Sequence, residues 1–284
     1  MDEVRDLAVG FPGRAALEAA LDLAARAPSP QNCQPWRWQV DSRGLHLYAD
    51  WGRGGGASEA DRRDVLLSCG ALLDHCVVAL AAAGWPMRVR RFPDLTDRGH
   101  VALFEIIEEP PLPTHRELAD AIGRRRSDRR DFRGSRLPAG TLELLAVHAA
   151  RRGVEFGVVP HARWTRDEHG DVALRFPAAD APNPTTDGAV LIVLGTERDD
   201  DPAQVRAGET LSHLLLAATA MELASCALTA PLRDPRSRLS LGCEVFDGEA
   251  FPQALIRVGE NSPGDVGAAT QRRTAEQTTT WTRT

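Results

Sequence analysis

Apolar and polar positions fall into alternating blocks of helical and strand period along this chain. Between Arg14 and Arg26, Leu17, Leu21 and Ala24 recur at helical spacing with Glu18, Asp22 and Arg26 on the opposite face. That pattern predicts a helix, which Pro28 ends. "WRWQV" and "LHLYA" read as strands joined by the turn "DSRG", in which Gly44 takes the unusual dihedral. A glycine-rich loop, "WGRGGGASEADRR", then leads into a helix from about Val65 to Ala83 that is apolar on almost every face and stopped by Gly84. Such a helix belongs in the middle of a fold.

"VRRF" and "VALFEIIEE" follow as strands, and the loop "PPLPTH" marks the clearest internal boundary, predicting a first part over 1–112 and a second over 113–284 of one intertwined domain. The second part predicts a helix near 115–123, the arginine-dense stretch "RRRSDRRDFRGSR", a helix over about 139–151 and the strand "VEFGVV". Residues 160–188 read as a short hairpin plus irregular loop. Beyond them come the buried strand "AVLIVLG", a second apolar helix "ETLSHLLLAATAMELA", the strand "ALIRVG", and a polar, extended tail "QRRTAEQTTTWTRT".

Composition narrows the class of protein. A chain of 284 residues with 43% hydrophobic content can bury a sizeable core. Its formal charge of -6 argues against nucleic acid or an anionic membrane as the main partner. Five cysteines without a CxxC pair point to reduced thiols, and the acidic N-terminus lacks the character of a signal peptide. No run supplies the roughly 18 uninterrupted apolar residues of a membrane span. A cytoplasmic protein is the expectation.

Two stretches could carry chemistry. Arg124, Arg125, Arg126, Arg129, Arg130, Arg133 and Arg136 surround Ser127 in an otherwise acidic chain. They form a solvated basic face, partly neutralised by Asp128 and Asp131, or an anion site in which guanidinium forks and a hydroxyl grip phosphate oxygens, or a nucleic-acid contact, the last weakened by the absence of aromatics interleaved with the arginines. In "RAPSPQNCQPWRWQV", Ser29, Asn32 and Gln34 follow a helix and are held between Pro28, Pro30 and Pro35. Their donors and acceptors suit the edge of a flat heterocycle, while Trp36 and Trp38 suit the core. Cys69, His75 and Cys76 do not have structural zinc spacing, and no metal site is expected. GxSxG, HExxH, a Walker lysine and GxGxxG are all absent, so no side-chain catalytic nucleophile is assigned.

Taken in order, "APSPQNCQPWRW" (27–38), "RRSDRRDF" (125–132) and "ATAMELASCALTAPL" (218–232) resemble the nitroreductase superfamily of FMN-dependent oxidoreductases, in particular its Acg-type branch with two nitroreductase-like halves in one chain. The resemblance implies an α+β three-layer fold, a mainly antiparallel sheet flanked by helices, with the flavin between pseudo-symmetric halves. It implies that Arg125, Arg126, Ser127 and Arg129 hold the FMN phosphate, helped by Arg272 and Arg273 from the tail. Ser29, Asn32 and Gln34 would lie near the flavin, and Thr229 would stand where relatives offer a backbone N–H to flavin N5. The implied reaction passes a hydride from NAD(P)H through FMN to a small electrophile such as a nitroaromatic or quinone, in a monomer that mimics a dimer.

The chain also departs from the pattern. Gln31 and Cys33 replace the usual His and Thr, Ala227 and Ala230 replace Pro and Gln, and the interval between "VEFGVVP" and "AVLIVLG" is short for the branch. Two alternatives stand beside the reductase: a protein that sequesters FMN with little or no turnover, and a specialised biosynthetic flavin oxidoreductase.

Overall fold

The computed structural model describes residues 11–107, 113–132, 137–166, 171–176, 187–261 and 269–282. Two compact units emerge: one runs through Gly123 and takes in the tail from Thr270, and the other spans Arg124–Ala269. The expected division at 112/113 is thus drawn differently. The helix after "PPLPTH" stays with the first unit, and the tail returns to it.

In the first unit, α1 (Arg14–Ala24) buries Leu17, Ala20, Leu21 and Ala24. The hairpin β1 (Trp36–Asp41) and β2 (Gly44–Ala49) forms as the pattern predicts. Gly44 has φ +134°, and a Cβ there would meet the Phe104 carbonyl at 2.8 Å, so only glycine suits both the turn and the close approach. Helix α2 (Glu59–Ala82) starts earlier than the apolar run because Ser58 and Asp61 form a capping box, each side chain accepting the other's backbone N–H at 3.1 Å.

By length and composition α2 could cross a membrane, with a mean hydropathy of 2.0, yet 89% of that window is buried inside the protein. Core burial accounts for its all-round apolarity. Strands β3 (Met87–Arg91) and β4 (His100–Ile106) precede α3 (Pro113–Arg124). Trp36 and Trp38 are fully buried, Trp38 meeting Phe104 edge-on at 5.7 Å.

The tail is not simply extended. Thr274 and Gln277 close a capping box around the short α7 (Ala275–Thr278), and β11 (Thr279–Trp281) then pairs in parallel with β1, Trp38 opposite Thr279. Its β-branched threonines favour a strand once an open edge is offered, and that edge is supplied by residues 241 positions away. The sheet order is β11-β1-β2-β4-β3, antiparallel apart from that one pair.

The second unit holds α4 (Thr141–Ala150), β5 (Glu155–Val159), the hairpin β6 (Trp164–Arg166) and β7 (Val172–Leu174), β8 (Val190–Thr196), α5 (Asp201–Ala220), β9 (Leu223–Leu228), α6 (Pro235–Phe246) and β10 (Phe251–Glu260). Its main sheet, β5-β8-β10-β9, is antiparallel throughout. Its core gathers Phe132, Trp164, Leu191, Val193, Leu232, Leu241 and Leu255. The expected hairpin within 160–188 is β6 and β7, while the irregular loop falls partly on 167–170 and 177–186, outside the described residues.

Helix α5 ends at Ala220, so "MELA" is not helical: Glu222 takes φ +60° and β9 begins at Leu223. Helix α6 has no counterpart in the periodicity, because its apolar positions are sparse. Its signal is the start, where Asp234 accepts from Ser237 N–H at 2.9 Å and Pro235 occupies the first turn. Val245 and Phe246 lie where side chains at Gly157 and Gly195 would otherwise stand, which lets α6 press onto the sheet.

Candidate functional site

In the second unit the arginine-rich segment is docked on β9 and is not a free basic face. Ser127 bridges to Ser225, and Asp128 donates its N–H to Ser225 O at 2.9 Å. Beneath it, Arg257 of β10 is 1% exposed. It donates to Asp187 Oδ2 at 2.7 Å and Asp128 O at 3.2 Å, also reaches Arg130 O, and lies 4.0 Å over the Phe132 ring. Asp187 in turn accepts from Phe132 N–H at 3.3 Å, Ala189 N–H at 3.0 Å and Arg166 at 3.3 Å. Burial lowers the Arg257 pKa, opposed by the Asp187 carboxylate beside it. A buried cation is tolerated where every donor direction meets an oxygen.

This foundation sorts the arginines. Arg130 turns back onto Asp128, with contacts at 2.6 and 3.0 Å. Burial would raise the Asp128 pKa, but the Arg130 hydrogen bonds and the Arg130 and Arg257 charges hold it below its ordinary value. Arg125 is buried and lies 3.5 Å from Ser127 Oγ, Arg126 is half-buried with one N–H on Arg125 O at 2.9 Å, and Ser127 and Arg129 are exposed. Arg129 faces Asp171 at 3.8 Å. Arg124, Arg125 and Arg126 line a cleft of about 590 Å³ together with Thr219, Glu222 and Glu260. Arg133 and Arg136 lie outside the described residues. The segment therefore presents guanidinium groups and a hydroxyl on a fixed backbone, a donor set that fits a phosphate.

Cys226 of β9 sits behind this segment. Burial raises its thiol pKa, with Arg129, Arg257 and Arg125 pulling the other way. Thr229 follows β9, half-buried, and its carbonyl accepts from Leu232 N–H at 3.0 Å as a short 3-10 turn begins.

The polar loop of the first unit carries three of the six non-glycine residues with positive φ among the described residues: Gln31 (49°), Asn32 (57°) and Gln34 (48°). Such clustering of left-handed backbone marks a segment whose shape is imposed by its surroundings. Gln34 is only 4% exposed, and its amide is engaged by the loop and by the tail. Its Oε1 accepts from Arg273 N–H at 2.9 Å, its Nε2 donates to Asn32 O at 3.4 Å, and its N–H donates to Ser29 Oγ at 3.0 Å. Asn32 Nδ2 donates to Gln271 O at 2.9 Å, while its buried Oδ1 meets no donor among the described residues.

Arg273 belongs to the same cluster: its guanidinium donates to Gln34 O and, at 2.9 Å, to Trp36 O. Arg272 donates to Thr270 O at 3.2 Å. Arg53 brings a further cation, its Nε on Cys33 O at 2.9 Å. Burial raises the Cys33 thiol pKa, only partly offset by the Ser29 hydroxyl. Ser29, Asn32, Gln34, Arg272 and Arg273 thus assemble in one unit, and Arg125, Arg126, Ser127, Arg129 and Thr229 in the other. Sequence reasoning missed Arg257, Asp187, Arg166 and Arg53. A signal existed for Arg257, the one charge inside the apolar strand "ALIRVG".

No family model matches the chain. A protein of Mycobacterium tuberculosis strain H37Rv, provisionally named NAD(P)H nitroreductase Rv3131, is 36% identical over 321 aligned positions, 95% of this chain and 93% of its own. That alignment is longer than the 284 residues here, so the relative carries segments this chain lacks. A second protein of that strain, provisionally named NAD(P)H nitroreductase acg, is 31% identical over 86% of this chain and 88% of its own. A crystal structure provisionally assigned as a nitroreductase from Anabaena variabilis has a TM-score of 0.59 over 87% of this chain and 88% of its own. At 11% identity, that likeness is one of fold.

Proposed function

The chain belongs to the nitroreductase family, in its Acg-type branch, and from that premise we propose an FMN-dependent oxidoreductase that passes a hydride from NAD(P)H to a small electrophile of nitroaromatic or quinone type. The observation that carries the reading is the docked segment of Arg125, Arg126, Ser127 and Arg129, locked from below by Arg257 and Asp187. A cationic donor set on a backbone that cannot relax away is what retention of a phosphorylated cofactor requires.

In this reading Arg125 and Arg126 neutralise the phosphate, Ser127 donates its hydroxyl, and Arg129 adds a cation at the exposed rim. Asn32 offers its free Oδ1 to an N–H on the edge of the ring. Thr229 contributes main-chain polarity at the end of β9. When bound, FMN supplies the hydride chemistry itself, which fits a chain whose motifs assign no nucleophile. The protein's part is to bind and orient: the arginines hold the phosphate, and an acceptor such as Asn32 Oδ1 fixes the ring through its N–H. The chain acts as a monomer, its two halves taking the place of two subunits.

The test is a visible spectrum of the purified protein, followed by anaerobic addition of NADH or NADPH. Flavin bands that bleach on mixing support the oxidoreductase. A preparation that stays colourless with added FMN would sink it, and bands that persist with both reductants would leave a protein that holds FMN without turnover.

A further inference from the structure

The left-handed turn that carries Asn32 is held in shape by the C-terminal tail. Its internal bonds are local: Asn32 N–H to Ser29 O, Cys33 N–H to Pro30 O and Gln34 N–H to Ser29 Oγ, each 3.0 Å. At the exit Trp36 N–H donates to Gln34 O at 2.9 Å and Arg53 Nε to Cys33 O at 2.9 Å, and Arg273 adds the ties that come from the tail. Its guanidinium spans the carbonyls of Gln34 and Trp36, while its own N–H donates to Gln34 Oε1 at 2.9 Å. Each of the two residues therefore uses its side chain to satisfy the other's backbone.

Two more ties keep the tail in register. Asn32 Nδ2 donates to Gln271 O at 2.9 Å, and Ala275 N–H donates to Asp22 Oδ1 of α1 at 2.6 Å. Beyond them β11 pairs with β1, the strand that the turn feeds directly. Without these ties Gln31, Asn32 and Gln34 would relax toward negative φ, and Asn32 Oδ1 would lose its direction.

We infer that Arg273 and Gln34 are positioning residues that clamp the 31–34 turn, so that Arg273 acts on the flavin through the loop and not as a phosphate ligand. The consequence rests on the flavin reading above; the clamp itself rests on the hydrogen bonds of the chain. A planar guanidinium suits the task, because two carbonyls flanking Pro35 can be bridged by one rigid fork.

Two measurements test this. In hydrogen exchange on flavin-free protein, Arg273→Ala should speed exchange at the amides of 32–36 and leave those of β2 unchanged. In flavin titrations, Arg273→Ala should weaken FMN and riboflavin alike, by roughly tenfold, the loss expected of a charge-assisted bond. The ratio of the two affinities should hold, and the visible bands of the bound flavin at saturation should move toward those of free flavin. Arg273→Lys, which keeps a donor for one carbonyl, should regain part of the loss.

A loss confined to FMN would make Arg273 a phosphate ligand and overturn the inference. So would unchanged exchange at 32–36, or a native bound-flavin spectrum at saturation. If Arg273→Ala does not fold, Gln34→Glu, which keeps an acceptor for the Arg273 N–H but loses the Nε2 donor to Asn32 O, and Gln34→Ala, which loses both, carry the same comparisons, and the difference between them isolates the tie to Arg273. If the unmodified protein takes up neither flavin, the cofactor reading fails and the exchange measurement alone decides the clamp.

Discussion

Arg257 shows how much one residue can decide. It is the cation from which the phosphate-type segment hangs, through Asp128 O, Arg130 O and the Asp187 carboxylate. Arg257→Met would leave the buried Asp187 with Arg166 as its cation, so the loss should fall below the roughly 3 to 5 kcal/mol of a fully broken buried pair while still exceeding about 1 kcal/mol. Urea denaturation should show that loss as a lower midpoint at an unchanged slope. The cysteines supply a second residue-scale expectation. Thiolate is the reactive form, and burial raises the pKa of Cys33, Cys69, Cys76 and Cys226 while Cys243 is exposed. Iodoacetamide at neutral pH should therefore label Cys243 well before the other four, as peptide mapping would show.

Elements obey their ends as much as their faces. Helix α6 is nearly invisible to apolar spacing, yet Asp234 and Pro235 announce it, and Asp234 accepts from Ser237 N–H at 2.9 Å. Asp234→Ala should cost about 1 kcal/mol, the usual loss for an N-cap, measurable as a reduced melting temperature. The position is exposed, so packing should not obscure the effect. Helix α2 reads the other way: its face pattern is featureless because nearly every side from Arg63 to Ala81 is buried, and only the Ser58–Asp61 box sets its true start. The tail combines both lessons. Thr274 and Gln277 cap α7 from local sequence, but β11 exists only because β1 leaves an edge for it.

At the scale of the whole molecule, charge sets how stability depends on pH. His46, buried, joins His100 at 3.0 Å and the Asp41 carboxylate at 3.0 Å. Burial and the His46 charge lower the His100 pKa, so its contribution is complete above the unfolded value of about 6.5 and is lost as pH falls through the folded one. His148, lowered by burial and by Arg151 and Arg152, acts in the same direction. The Asp41 and Asp128 carboxylates, held below their ordinary value by hydrogen bonds that outweigh burial, lose their contribution only below about pH 4. Melting temperature should thus decline in two stages on acidification, the first setting in below about pH 6.5. A melting temperature that rose between pH 7 and pH 5 would contradict this assignment.

Much of this was legible in the residues themselves. Periodicity placed α1, the β1–β2 hairpin, the α2 core and the strands of both sheets apart from β9 and β11, because burial on one face or all round leaves its mark locally. The order of "PSPQNCQPW", "RRSDRR" and "ALTAP" pointed to the nitroreductase family, to which the chain belongs. What the sequence could not contain is which donors remain available once the chain folds. Ser29, Asn32 and Gln34 look equivalent in a line of text, yet Gln34 and Ser29 are engaged by the loop and the tail while Asn32 keeps a buried acceptor. Arg273 reads as another phosphate cation until the tail carries it back to the carbonyls of Gln34 and Trp36. Residue types and their spacing by themselves determined the elements and the chemistry on offer. Only the tertiary structure decided which groups are engaged by the chain itself and which keep an unmet acceptor, because hydrogen bonds between residues 239 positions apart depend on the path of the whole chain.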